Sequence, residues 1–126
     1  QFHGRLDDAG MAAVLARCKL SISVPESDAT SVSVLESMAC GLAVIASDLP
    51  ASRDWISHEA LVPAGDAQAL AMRWSALLQD DMRAAALGTA NAARIALDGD
   101  RRVQMDVMDA AYRKLLSAFR AGPGNG

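Results

Sequence analysis

The sequence predicts an α/β fold, a Rossmann-like parallel sheet flanked by helices. Three observations carry this. Short apolar runs alternate with stretches of helical periodicity, helix-sized segments separate the runs, and Gly, Pro or Asp punctuates the joins. Strands spaced by helices form parallel βαβ units, and ligands then gather beyond the carboxyl ends of the strands.

Each element has a local reason. Residues 2–4 resemble the end of a strand, and Asp7 or Asp8 then caps a helix with Met11, Val14, Leu15 and Cys18 on its apolar face. Leu20, Ile22 and Val24 alternate with Ser21 and Ser23 until Pro25, which cannot extend a ladder. The polar loop 26–31 opens into a helix bearing Val34, Leu35, Met38 and Ala39, and Gly41 is a fitting stop. The continuous apolar run 43–46 suits a strand covered on both faces.

Asp48-Leu49-Pro50 then turns the chain into a short helix around 53–56, and 60–62 is a further strand. Asp66 caps a helix carrying Leu70, Trp74, Leu77 and Leu78. Two more helices are expected over about 82–95 and about 102–119, separated by the turn Asp98-Gly99-Asp100. Residues 1–120 therefore read as a single, partial domain, and the Gly- and Pro-containing 121–126 as a flexible tail.

Composition narrows the function. A net charge of -3 without a basic run excludes the clustered positive face of a nucleic-acid binder. Cys18 and Cys40 have neither disulfide nor zinc spacing and read as buried reduced thiols. His3 and His58 lack sequence neighbours that would build a triad or metal site. Without a signal peptide, or an apolar run near the ~20 residues that span a bilayer, the chain reads as soluble and cytoplasmic. It opens on Gln1-Phe2-His3 with no initiator methionine, so the natural protein is expected to begin further upstream.

The segment Ser27 to Gly41, SDATSVSVLESMACG, concentrates the chemistry. A nucleotide sugar needs carboxylate acceptors for its vicinal hydroxyls and backbone N–H donors for its pyrophosphate, and a helix N-terminus supplies the donors. Asp28 lies in the loop and Glu36 eight residues later, about one turn into the helix, so the two carboxylates are expected to flank one ligand. Thr30, Ser31, Val32 and Ser33 would form the first turn at the positive end of the helix dipole. Spacing alone favours the plainer reading, a loop carboxylate that caps the helix and a solvated Glu36. Arg53 beside Asp54 reads as a surface ion pair or as a border of the ligand cleft, and Trp55, Trp74 and the methionines as packing residues.

The run SVPESDATSVSVLESMACGLAVIASD, from Ser23 to Asp48, resembles the signature of the family 4 (group 1) glycosyltransferases of the GT-B fold, in which Glu-x7-Glu precedes Ala-Met-Ala-x-Gly and a Pro-Val-Ile strand. Gly4-Arg5-Leu6, Arg53-Asp54-Trp55-Ile56, Leu61-Val62-Pro63 and Gly65-Asp66 with Ala69-Leu70-Ala71 resemble further family segments. Asp28 stands in place of the first Glu and is one methylene shorter, which leaves its contact open between direct and water-bridged. Ala43 replaces the Pro.

The resemblance implies the partial C-terminal domain of a GT-B glycosyltransferase that binds a nucleotide sugar and moves its sugar, with retention, to a cell-envelope or polysaccharide acceptor. By the same resemblance Glu36 accepts the ribose hydroxyls and Asp28 orients the sugar. The amides of Thr30, Ser31 and Val32 contact sugar or phosphate, and Arg5 and Leu6 border the base. No metal and no cofactor are implied. The expected partners are the nucleotide sugar and an N-terminal acceptor domain outside this sequence, through which the whole protein would meet the inner face of the membrane. Two other functions share the features: a GT-B sugar-nucleotide epimerase and a non-catalytic α/β interaction module. In the doubly wound order 3-2-1-4-5-6, residues 1–4 would be strand 3 and 20–24 strand 4, leaving a gap. Marginal stability, rearrangement or self-association of the chain is then expected.

Overall fold

The computed structural model describes residues 2–121. At its centre lies a three-stranded parallel sheet in the order β1-β2-β3, formed by Leu20–Ser23, Ala43–Ser47 and Leu61–Val62. Ile22 of β1 is in register with Ile45, and Ala46 with Leu61. The helices are α1 (Asp8–Leu15), α2 (Val32–Ala39), α3 (Pro50–Arg53), α4 (Ala67–Gln79), α5 (Asp81–Arg94) and α6 (Arg101–Ala121).

The apolar run of β2 is buried at every position, as expected of a strand covered on both faces. Its alternation divides the core. Val44 and Ala46 meet Val34 and Met38 of α2 together with Ile56, Ala60 and Leu61. Ala43 and Ile45 meet Val62, Leu77 of α4, and Ala84 and Leu87 of α5. Removing Val44 and Ile45 from water contributes about 1.5–3 kcal/mol each.

The helix boundaries follow their caps. Asp7, Asp66 and Asp80 each accept a backbone N–H, from Gly10, Ala69 and Arg83, at 2.8–2.9 Å. Gly41 ends α2 with φ +74°. α5 runs into a π-helical turn, Ile95–Gly99, where a simple turn was expected. Asp100 then breaks the helix, accepting the N–H groups of Arg102 and Val103 that begin α6.

α5 lies unusually close to the end of α2. A Cβ on Gly88 would sit 2.0 Å from the carbonyl oxygen of Gly41. Beside it the buried Asn91 donates through Nδ2 to the carbonyl of Leu42 at 2.8 Å. Lys19 links the start of β1 to the α4–α5 junction by donating to the carbonyl of Leu78 at 2.6 Å and pairing with Asp81.

Four expectations are corrected. Residues 2–4 form no strand, and Phe2 is fully exposed, because no described strand lies where it could pair. β1, β2 and β3 are neighbours in the order that the 4-5-6 half of the expected arrangement gives, and with no strand at residues 2–4 the gap expected between that segment and β1 does not arise. The short helix after β2 is Pro50–Arg53 rather than 53–56, since Pro50 with its fixed φ starts it. Cys18 and Cys40 are exposed, each lying past the last residue of its helix, α1 or α2, rather than under its apolar face. Gln1 and the tail 122–126 lie outside the described residues.

Candidate functional site

The loop after β1 leads at the carboxyl edge of the sheet into α2. Ser37, nearly buried on α2, fixes that helix: its Oγ lies 2.8 Å from Ser21 Oγ on β1 and 2.8 Å from the carbonyl of Ser33. Val34 and Met38 complete the attachment by entering the core. The N-terminal turn of α2 is thereby set at the sheet end where a parallel α/β fold binds ligands.

That turn differs from the starts of α1, α4 and α5. Ser31 occupies the N-cap position but makes no side-chain cap bond, and its Oγ instead meets Ser33 Oγ at 2.9 Å. The first amides of α2 therefore lack the carboxylate that Asp7, Asp66 and Asp80 give to α1, α4 and α5. They remain available to water or to an anion.

Asp28, Thr30 and Ser31 come together in a cleft with Pro25, Ser52 and Trp55. The cleft leaves about 20 Å³ for a water-sized centre, room for little more than one water. A larger ligand must lie across its mouth. Asp28 is exposed and makes no hydrogen bond among the described residues, so it does not cap α2.

Glu36 lies elsewhere. It lines a groove of about 340 Å³ between α1 and α2, with Leu6, Asp7, Asp8, Met11 and Cys40 among its neighbours. The two carboxylates therefore do not share one concavity, because Asp28 is in the loop before α2 while Glu36 lies on the side of α2 that faces α1. Val32 begins the helix and is 67% exposed. It shares a helical face with Glu36, four residues on and about 6 Å along the axis. Leu6 joins Glu36, whereas the exposed Arg5 lines neither concavity.

The sequence reading missed Ser52 and the dual use of Trp55, which both packs on the core and walls the cleft. The usable signal was the position of α3 directly after β2, facing the loop of Asp28. Arg53 pairs with Asp48 and not with Asp54: its Nε donates at 2.6 Å and its Nη2 at 3.2 Å to the two carboxylate oxygens. Neighbours in sequence point apart on a helix, whereas Asp48 lies just before α3 and faces back to Arg53. This hydrogen bond outweighs the opposing loss of hydration and holds the Asp48 carboxyl below its ordinary value.

Residues 1–80 match the family model described as glycosyl transferases group 1. Over 91 residues the chain is 38% identical to a phosphatidyl-myo-inositol mannosyltransferase of Mycobacterium leprae, covering 65% of this chain and 23% of that protein. Its fold is similar to a sucrose-phosphate synthase from Thermosynechococcus elongatus, with a TM-score of 0.84 and 28% identity, covering 94% of this chain and 30% of that one. The chain thus spans less than a third of the length of either.

Proposed function

We propose, because the chain belongs to the group 1 glycosyltransferases of the GT-B fold, that it is the donor-binding part of a retaining enzyme that transfers a sugar from a nucleoside diphosphate sugar. The observation that carries this reading is the carboxylate-free N-terminal turn of α2, with the Asp28 cleft on one side and the Glu36 groove on the other.

In this reading the diphosphate lies on the amides of the Ser31–Val32 turn, where the helix dipole and free N–H groups favour negative charge. Glu36, on the same face as Val32, accepts the ribose hydroxyls. The base continues into the groove toward Leu6, and the sugar reaches the mouth of the Asp28 cleft, near Thr30. One extended donor then contacts both carboxylates without their sharing a pocket. As the glycosidic bond breaks, charge grows on the departing diphosphate, and amides aimed at that position stabilise the oxocarbenium-like transition state. The reading calls on neither a metal nor a cofactor.

The acceptor site is assigned to a part of the protein outside this sequence. The Mycobacterium leprae relative, named a phosphatidyl-myo-inositol mannosyltransferase, supports a lipid-type acceptor of the cell envelope. Work at the inner face of the membrane accords with that reading. No described helix is long and apolar enough to cross a bilayer.

The test is donor affinity of the full-length protein by calorimetry with UDP- and GDP-sugars. Glu36→Gln keeps the shape but weakens the charge-assisted hydrogen bonds, for an expected loss of about 1.5–3 kcal/mol, roughly ten- to hundredfold in Kd. Unchanged affinity for every donor that binds the parent protein would remove Glu36 from the site.

A further inference from the structure

The Asp28 cleft draws its polar lining from three elements. Ser23, the last residue of β1, is in register with Ala46 of β2, and both line the cleft. Ser23 lies two residues beyond Ser21, so it shares the sheet face on which Ser21 meets Ser37 of α2. Ser31 comes from the start of α2, and Ser52 from α3. These three serines are half-buried, whereas Asp28 and Thr30 are exposed, so hydroxyls surround the inner end and the carboxylate stands at the mouth. The buried Val34 and Ala46 and the half-buried Trp55 supply apolar walls.

Ser31 Oγ is engaged with Ser33 Oγ, but the hydroxyls of Ser23 and Ser52 make no hydrogen bond among the described residues. A hydroxyl that is partly withdrawn from solvent and left without a partner is costly. The cleft offers about 20 Å³ where a water needs ~10–15 Å³, and polar partners from three sides, which is the ordinary setting of a structural water.

We propose, resting on the donor reading above, that the cleft seats one water through which Asp28 holds the transferred sugar, and that Ser23 and Ser52 are positioning residues that fix this water. The hydrogen-bond capacities close. The ionised Asp28 carboxylate only accepts, so the water donates one proton to it and the other to a sugar hydroxyl oxygen, and it accepts from the O–H groups of Ser23 and Ser52. Reach agrees as well. A bent water bridge spans about 4.5 Å between heavy atoms, roughly 1.7 Å more than the ~2.8 Å of a direct bond. That excess is close to the ~1.5 Å of the one carbon–carbon bond by which aspartate is shorter than glutamate. A sugar lying across the mouth is therefore gripped without entering the cleft.

The test is calorimetry on the full-length protein, comparing a nucleoside diphosphate sugar that binds with the corresponding nucleoside diphosphate. Ser52→Ala should weaken the sugar nucleotide roughly three- to tenfold and leave the nucleoside diphosphate within about twofold, because only the sugar meets the water. In Asp28→Glu the longer side chain displaces the water and reaches the sugar itself. Its affinity for the sugar nucleotide should stay within about twofold of the parent, and adding Ser52→Ala should then cost nothing further. Equal losses on both ligands in Ser52→Ala would mark a merely structural role and overturn the inference, as would a Ser52→Ala cost that is the same in both backgrounds. Weakened sugar-nucleotide binding in Asp28→Glu would place a sugar hydroxyl inside the cleft and overturn it too. Glu36→Gln should weaken both ligands. An unchanged affinity there removes the donor reading, whereas a Glu36→Gln effect without a sugar-specific Ser52→Ala effect removes the water alone.

Discussion

Replacing Gly88 by alanine is the most demanding test of the core. An added Cβ would lie 2.0 Å from the Gly41 oxygen and 2.9 Å from its carbonyl carbon, both backbone atoms that no rotamer change can move. A Cβ almost never approaches a heavy atom within 3.0 Å. α5 must therefore withdraw by at least about 1 Å, the difference between 3.0 and 2.0. Overpacking of this kind costs about 1–3 kcal/mol. The same withdrawal stretches the 2.8 Å bond from Asn91 to Leu42 and exposes its buried partners to a further ~1–3 kcal/mol. Against this, alanine gains about 1 kcal/mol of helix propensity over glycine.

The balance is a loss of about 3 kcal/mol, or roughly 10 °C in Tm for a chain of this size. Gly65→Ala is the control, because it carries only the strain of φ +78° with nothing within 4 Å of the new methyl, about 1–2 kcal/mol. Urea denaturation of both variants provides the comparison. If Gly88→Ala is no less stable than Gly65→Ala, α5 does not lie against the Gly41 turn and the packing argument fails.

Three other outcomes follow from single contacts. Ser47→Ala should leave stability unchanged or raise it by up to about 1 kcal/mol in the same denaturation assay, because the fully buried Ser47 Oγ has no hydrogen-bond partner among the described residues. Asn91→Leu should cost about 1–3 kcal/mol by stranding the Leu42 carbonyl, and a neutral result would show that water replaces the amide. Asp48 should titrate below its ordinary 3.8 by carboxyl NMR and return toward that value in Arg53→Gln. Because the folded value is depressed, this pair's stabilisation is present above the unfolded pKa and disappears as pH falls through the folded one. An Asp48 that titrates identically in both proteins would contradict the pairing.

Much of the fold was readable wherever a signal is local. The run Ala43–Ser47 is apolar enough to predict a strand buried on both faces, Gly41 marks the end of α2, and Asp66 marks the start of α4. Strand formation at residues 2–4 was not readable, since a β-prone triplet becomes a strand only beside a partner. The Gly41–Gly88 approach joins two segments far apart in sequence, and nothing at either position announces the other. At the site, the resemblance rather than the spacing singled out Asp28 and Glu36 as a candidate pair. Their separation into a cleft and a groove depends on where α1 and α3 come to rest, which is a property of the assembled core.

The hydroxyl contact between Ser21 and Ser37 links α2 to a strand that, among the described residues, pairs on one side only. β1 therefore acts as the bearing on which α2 is mounted. A shift of that strand against β2 would tilt the free amides at the other end of the helix as a rigid arm. Alignment of the proposed phosphate seat thus depends on how firmly the outer side of β1 is held, a mechanical requirement that lies wholly outside the site itself.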